Sequence, residues 1–242
     1  LGAGRLNVNK ALDLAISGIG AIQGPRLTSG STYLLTAPYS SALPEVQILL
    51  PSGTRSRSFL AYGSNFTGGV RLASGDVNKD GQIEIVTGAG LGGGPHVRVF
   101  TAEGTVLGSF FAYDSRFRGG VNVAVGDLNN DGQAEIVTAP GPGGSPQIRI
   151  FANAGPGQYK AIGSFFAYNA RLKGGVNLTV ADTDGDGLSE IITAPGSGLG
   201  YNGEIKIFNL AGKLKTSFKA YPANFANGVN VAVGNLEGSG LV

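Results

Sequence analysis

The chain of 242 residues contains no cysteine, no methionine and no tryptophan, and its one histidine is His96. Without cysteine there is neither a disulfide nor a thiol nucleophile, so the fold must be held by other means. A Ser-His-Asp set would have to be built on His96, and no Gly-x-Ser-x-Gly elbow precedes it. Other repeats place Glu45, Gln147 and Glu204 where His96 stands, which makes it a strand-end residue. Gly88-Ala-Gly90-Leu-Gly-Gly93 matches a dinucleotide fingerprint, but a strand pattern follows it instead of the required helix. No apolar run approaches the eighteen or so residues of a membrane-spanning helix. The chain is therefore expected not to be an enzyme, with neither nucleic acid nor membrane insertion among its partners. It opens on Leu1 and lacks methionine, as expected of a processed or excised segment whose leader is out of view.

What the chain has in plenty is glycine, 42 residues, well over twice the usual share of about 7%. Much of it marks three acidic loops. The first is Asp76-Val-Asn78-Lys-Asp80-Gly81-Gln82-Ile-Glu84. The second is Asp127-Leu-Asn129-Asn-Asp131-Gly132-Gln133-Ala-Glu135. The third is Asp182-Thr-Asp184-Gly-Asp186-Gly187-Leu188-Ser-Glu190. Short oxygen-bearing side chains at positions 1, 3 and 5 can converge on one point, the glycine at 6 allows a sharp turn, and the glutamate at 9 can close the shell. Hard cations such as calcium take six to eight oxygens, and this spacing resembles the first half of an EF-hand loop. A strand pattern begins at position 9, so an EF-hand helix is excluded. One Asp-Gly turn alone would read as an Asx turn; three with acids at 1, 5 and 9 read as metal loops.

The loops belong to a longer repeat. Their first aspartates are 51 and 55 residues apart, and a degenerate fourth copy starts 53 further on at Asn235. Around each loop the same words return: Val121–Gly126 before it, Glu135–Pro140 after it, then Gln147–Phe151, then Ser164–Tyr168. Each is a short β-branched or aromatic run bounded by turn residues, giving four strands A to D per repeat, with the acidic loop joining A to B. Units of this length and strand count fit β-propeller blades. A stack of sandwich modules or a β-solenoid competes, but solenoid coils are usually shorter. Strand A carries valines on one face and Asn, Ala or Gly on the other, as crowding near a propeller axis requires. The expected fold is all-β, with about four blades and an orphan strand: a degenerate first blade at 1–62, loop-bearing blades at 63–113, 114–168 and 169–221, and the start of another at 222–242. In the first, Gly18 stands where the loop aspartate belongs and no carboxylate follows to Gly30, so no metal is expected there.

These loops, with the Thr-Ala-Pro-Gly words and segments such as Gly92-Gly-Gly-Pro-His-Val-Arg-Val-Phe100, resemble the FG-GAP/VCBS repeats of integrin α-subunit propellers and many secreted bacterial proteins. The resemblance covers residues 31–242. It implies a propeller with calcium in the A–B loops, held by positions 1, 3, 5 and 9 and the carbonyl at 7. The implied ligands are Asp76, Asn78, Asp80, Gln82 and Glu84; Asp127, Asn129, Asp131, Gln133 and Glu135; and Asp182, Asp184, Asp186, Leu188 and Glu190. The fourth loop, with Asn235, Glu237 and Ser239, departs from the pattern. The third has a formal charge of −4 against −3 for the others and is expected to bind calcium most tightly.

Ten of the 16 acidic residues lie in these loops, so a chain of formal charge +2 has a basic remainder. Arg116 and Arg118, and Arg171 with Lys173, recur in D–A connections; Arg98, Arg149 and Lys206 recur on strand C. Attraction to an acidic polysaccharide or other cell-surface ligand follows as an expectation. Calcium loops of the weak, extracellular type need millimolar ion, which places the chain outside the cell. The expected function is an extracellular, calcium-stabilised structural or adhesion module. Alternatives are a lectin-like propeller and the accessory part of a secreted polysaccharide-degrading enzyme. Strand A at 229–234 lacks following partners, which leaves three outcomes: closure of a four-bladed ring onto 33–62, membership of a longer propeller, or pairing with another copy through Leu6–Asn9 to give a homo-oligomer or fibre.

Overall fold

The computed structural model describes residues 11–13, 32–198, 202–222 and 224–234. All regular structure among them is β. The first sheet is β1 (Ala11–Asp13), β2 (Thr32–Thr36), β3 (Glu45–Leu49) and β4 (Arg55–Leu60). The second is β5 (Val70–Gly75), β6 (Glu84–Ala89), β7 (His96–Phe100) and β8 (Val106–Phe111). The third is β9 (Val121–Gly126), β10 (Glu135–Pro140), β11 (Gln147–Asn153) and β12 (Tyr159–Phe166). The fourth is β13 (Val176–Ala181), β14 (Glu190–Pro195), β15 (Glu204–Phe208) and β16 (Leu214–Lys219). Each is an antiparallel meander in sequence order, the form of a propeller blade. The expected all-β blade repeat is what the chain forms.

Burial grades across each blade. Strands β6, β10 and β14 are buried along their whole length, whereas β16 is exposed along all of it. The innermost strands stand side by side, with β9 touching both β5 and β13. The small face of strand A makes this possible. A Cβ on Gly75 would lie 2.5 Å from Val125 Cγ1, and one on Gly126 would lie 2.4 Å from Val180 Cγ1.

Neighbouring blades are tied by a repeated set of contacts that begins with the Phe-Phe-Ala-Tyr word. The first aromatic of strand D packs on the phenylalanine ending strand C of the next blade. The pairs are Phe59–Phe100, Phe110–Phe151 and Phe165–Phe208, with ring centroids 4.8, 4.5 and 4.7 Å apart. The tyrosine that closes the word reaches the same neighbour. Tyr62 Oη donates to His96 O at 2.9 Å, Tyr113 Oη to Gln147 O at 2.7 Å, and Tyr168 Oη to Glu204 O at 2.8 Å. Thr87, Thr138 and Thr193 lie within 3.1–3.3 Å of the same hydroxyls. From the opposite side, Arg98 donates to Ala61 O and Arg149 to Ala112 O. These strand-C cations therefore tie blades together and do not form a free basic surface. Nearer the axis, Asn122 Nδ2 donates to Val176 O and Asn177 Nδ2 to Val229 O, each at 2.7 Å.

The fourth blade carries the donor half of this set without a described receiver. Phe218 and Tyr221 are 53% and 45% exposed, and Tyr221 stacks on Phe225 at 4.3 Å instead. Residues 229–234 lie where a further strand A belongs, joined through Val229 N to Pro195 O at 2.8 Å and an Asn227–Ser197 bridge. They have no ladder partner among the described residues. The fourth loop and the Leu6–Asn9 segment lie outside the described residues.

Removing one phenol tests the inter-blade ties. Tyr113→Phe leaves ring packing intact but strips Gln147 O of its donor, so it should cost about 1–3 kcal/mol. Urea unfolding of variant and wild type measures the difference; equal midpoints would reject the role.

Candidate metal centres

Each acidic loop spans the A-to-B turn at the same end of its blade, and all three fold by the same local bonds. The first aspartate turns back on its own loop. Asp76 Oδ2 accepts from Gly81 N at 2.8 Å, Asp127 Oδ2 from Gly132 N at 2.8 Å, and Asp182 Oδ2 from Gly187 N at 2.9 Å. Position 5 repeats the device: Asp80, Asp131 and Asp186 accept from Gln82, Gln133 and Leu188 N at 2.7–2.8 Å. The loop can only close this tightly with left-handed backbone at positions 4 and 6. Gly81, Gly132 and Gly187 have φ of 80–84°, and Lys79, Asn130 and Gly185 have φ of 56–78°, a region that favours glycine and tolerates asparagine.

The glutamates at position 9 are the unusual members. Glu84, Glu135 and Glu190 open strand B and are only 1–2% exposed. One oxygen of each caps the loop: Glu84 Oε2 accepts from Val77 N at 3.0 Å, Glu135 Oε2 from Leu128 N at 2.9 Å, and Glu190 Oε2 from Thr183 N at 2.8 Å. In the first two loops the other oxygen lies 3.3–3.4 Å from the amide nitrogen of Asn78 or Asn129. Desolvation pushes the Glu84 carboxyl up to about 7, with Asp80 and Asp76 adding to the Val77-opposed rise. Desolvation likewise raises Glu135, whose neighbours are Asp131 and Asp127. A carboxylate buried among carboxylates calls for a cation, and none of the described lysines or arginines forms a salt bridge with these two loops.

The third loop has its own counter-charge. Lys215 Nζ lies 2.6 Å from Asp184 Oδ2, 2.8 Å from Glu190 Oε1 and 3.4 Å from Asp186 Oδ2. These partners, Asp184 first, hold the ammonium above its ordinary pKa. Desolvation acts to raise Asp182, but the N–H groups of Gly185 and Gly187 outweigh it and lower that carboxyl. Carboxylate oxygens of Asp182, Asp184 and Glu190 gather within 4.8 Å of one another, a grouping that can hold a metal ion. The sequence-based ranking took the third loop as the most negative; Lys215, 25 residues beyond Glu190, cancels that difference.

Adjacent loops are also joined. Ala134 N donates to Asp76 O at 2.8 Å, Ser189 N to Asp127 O at 3.3 Å, and Gln133 Nε2 to Val77 O at 2.8 Å. Lys79 Nζ reaches Asp131 O. Oxygen donors of this kind, preshaped by backbone bonds and with no carboxylate in the first two loops salt-bridged to a described cation, suit a hard divalent ion. The candidate ligands of each loop thus come from a single nine-residue segment, while the loops lean on one another through their backbones.

Residues 76–138 and 127–193 each match the FG-GAP-like repeat. Each match starts at the first aspartate of one loop and ends at the tyrosine-bonded threonine, Thr138 or Thr193, after the next. Residues 76–193 are built of FG-GAP-like repeats. Among solved structures, a Bacillus licheniformis rhamnogalacturonan lyase is 16% identical with a TM-score of 0.50, covering 87% of this chain and 51% of that one. Rhamnogalacturonan lyase YesW is 14% identical at a TM-score of 0.49, covering 90% and 50%. The V. cholerae biofilm matrix protein Bap1 is 19% identical at a TM-score of 0.39, covering 89% and 41%. The likeness is one of fold, and this chain spans about half the length of these proteins or less. No curated protein gives a significant match.

The buried glutamates predict a pH effect in chelator. An acid whose pKa is higher folded than unfolded binds its proton more tightly in the folded state. Metal-free stability should therefore fall as pH rises from 4.5 to about 7. His96, lowered by burial, opposes this below 6.5 as a single group against two. Glu84→Gln, which keeps an acceptor for Val77 N, should melt a few degrees above wild type at pH 7.5 in EDTA. A lower melting temperature for the variant would reject the assignment.

Proposed function

We propose that this chain is a non-enzymatic, calcium-stabilised structural module of an extracellular protein. The observation that carries the reading is the buried position-9 glutamate, set among aspartates and, in two loops, without a salt bridge among the described residues. A calcium ion there would be held in the first loop by Asp76, Asn78, Asp80, Glu84 and the Gln82 carbonyl. In the second it would be held by Asp127, Asn129, Asp131, Glu135 and the Gln133 carbonyl. The third set is Asp182, Asp184, Asp186, Glu190 and the Leu188 carbonyl. The ion's part is electrostatic, since it neutralises carboxylates that the fold brings together. The chain's part is to preshape the loops by the Asp–amide bonds and to couple them through the Ala134–Asp76 and Ser189–Asp127 bonds. Affinities near 0.1 mM and about 1 mM ion would give roughly 1.4 kcal/mol per site. The first two loops should then raise the melting temperature by about 5–10 °C over an EGTA-treated sample. Scanning calorimetry decides this, and an unchanged temperature rejects the reading.

A second reading, carbohydrate binding, draws on how the Phe-Phe-Ala-Tyr word is divided. Its first aromatic and its tyrosine are turned to the next blade, but Phe111 and Phe166 are 53% and 51% exposed. Exposed aromatic rings on successive blades are suited to stacking on sugars, and the basic remainder of the chain favours acidic ones. A glycan array containing acidic polysaccharides should show saturable binding lost at least tenfold in Phe111→Ala/Phe166→Ala; no saturable binding by wild type rejects this reading.

A further inference from the structure

The third loop differs from its two sisters in one respect that the repeat does not explain. Strand β16 pairs with β15 through Phe208–Leu214 and Ile207–Thr216, leaving Lys215 as the extra residue of a β-bulge. The same bulge recurs in the other blades. Between Phe100–Val106 and Val99–Gly108 the extra residue is Leu107. Between Phe151–Ala161 and Ile150–Gly163 it is Ile162. In the first blade, between Leu49–Arg55 and Ile48–Arg57, it is Ser56. An uncharged side chain therefore satisfies this position in the other three blades, and the lysine is particular to the fourth.

Its placement is specific. The ammonium has three N–H donors, and three carboxylate oxygens surround it, those of Asp184, Glu190 and Asp186 at 2.6, 2.8 and 3.4 Å. Glu190 is 1% exposed and the lysine side chain 30%, so the pair is screened from bulk water at the carboxylate end. Asp184 and Glu190 are also two of the three groups whose oxygens cluster for a cation. A calcium ion needs those oxygens at 2.3–2.6 Å, so the ammonium and the metal would claim the same space. Side by side they would repel with little water between them.

We propose that Lys215 is a resident counter-ion of the third loop, which neutralises its carboxylates in the absence of metal and must be displaced before calcium enters. This rests on the calcium reading above and deepens it: the third loop binds calcium more weakly than the first two, and the fourth blade is the least dependent on the ion. The lysine is a positioning residue for the loop, with the opposite consequence to the affinity order that loop charge alone predicts.

The test compares wild type with Lys215→Met, which keeps the chain's bulk and removes its charge. Calcium titration calorimetry of the wild type should give two binding events, with a third at least tenfold weaker. In Lys215→Met the third should tighten by about tenfold or more. In EDTA the same variant should melt below wild type, and calcium should raise its melting temperature by more than it raises that of wild type. Lys215→Gln, which retains a hydrogen-bonding head, is titrated in parallel so that poor folding of one variant does not decide the matter. Calcium titrations of wild type and both variants that superimpose would overturn the inference while leaving the calcium reading intact. Absence of any calcium binding or calcium-dependent melting in wild type and variants would overturn the calcium reading, and the competition with it.

Discussion

A carboxylate held out of water at the mouth of strand B is the constraint around which each loop-bearing repeat is organised. Glu84, Glu135 and Glu190 are almost wholly buried, and burying an anion is costly unless its charge is met. Each uses one oxygen to cap the amide of loop position 2, which fixes the turn. The other oxygen meets the amide of Asn78 or Asn129 in the first two loops and the ammonium of Lys215 in the third. The fold thus builds a demand for positive charge into every loop. In the first two, no salt bridge from the described residues meets that demand; in the third, Lys215 answers it from strand D.

The loops are not independent of the blades they join. The carbonyls of Asp76 and Asp127 receive backbone N–H groups from the next loop along, so distorting one loop disturbs its neighbour. At the middle of the blades the tyrosine hydroxyls and the tilted phenylalanine pairs make the same one-step connection. Asn122 and Asn177 repeat it near the axis. Neighbouring repeats are therefore joined at the loop end, the mid-blade and the axis. Stability of such an array is shared between repeat and interface terms, and an ion that orders one loop acts on both.

Much of this was legible in the chain itself. The loop spacing, the recurring strand words and the alternation of valine with small residues predicted blades of four strands. Those signals are local: a turn needs its glycine within a few residues, and a strand shows its two faces by simple alternation. The Phe-Phe-Ala-Tyr word was harder. Its aromatics were expected between blades, but adjacent residues on a strand face opposite sides, so Phe110 enters the interface while Phe111 stays outside; Tyr113, past the end of the strand, reaches the neighbouring blade with its hydroxyl. The recurring cations of strand C were expected on a basic surface. Packing turned Arg98 and Arg149 onto carbonyls of the preceding blade instead.

By itself, then, the sequence determined the repeat, the strand order within each blade and the spacing of the acidic side chains in each loop, because these depend on contacts within about ten residues. The tertiary structure decided the charge state of the loops. Burial of the position-9 glutamates follows from packing neighbouring blades, and Lys215 meets the third loop only because β14, β15 and β16 lie side by side in register. Electrostatic balance is set by distance in space, and the residues that settle it here stand 25 or more positions apart.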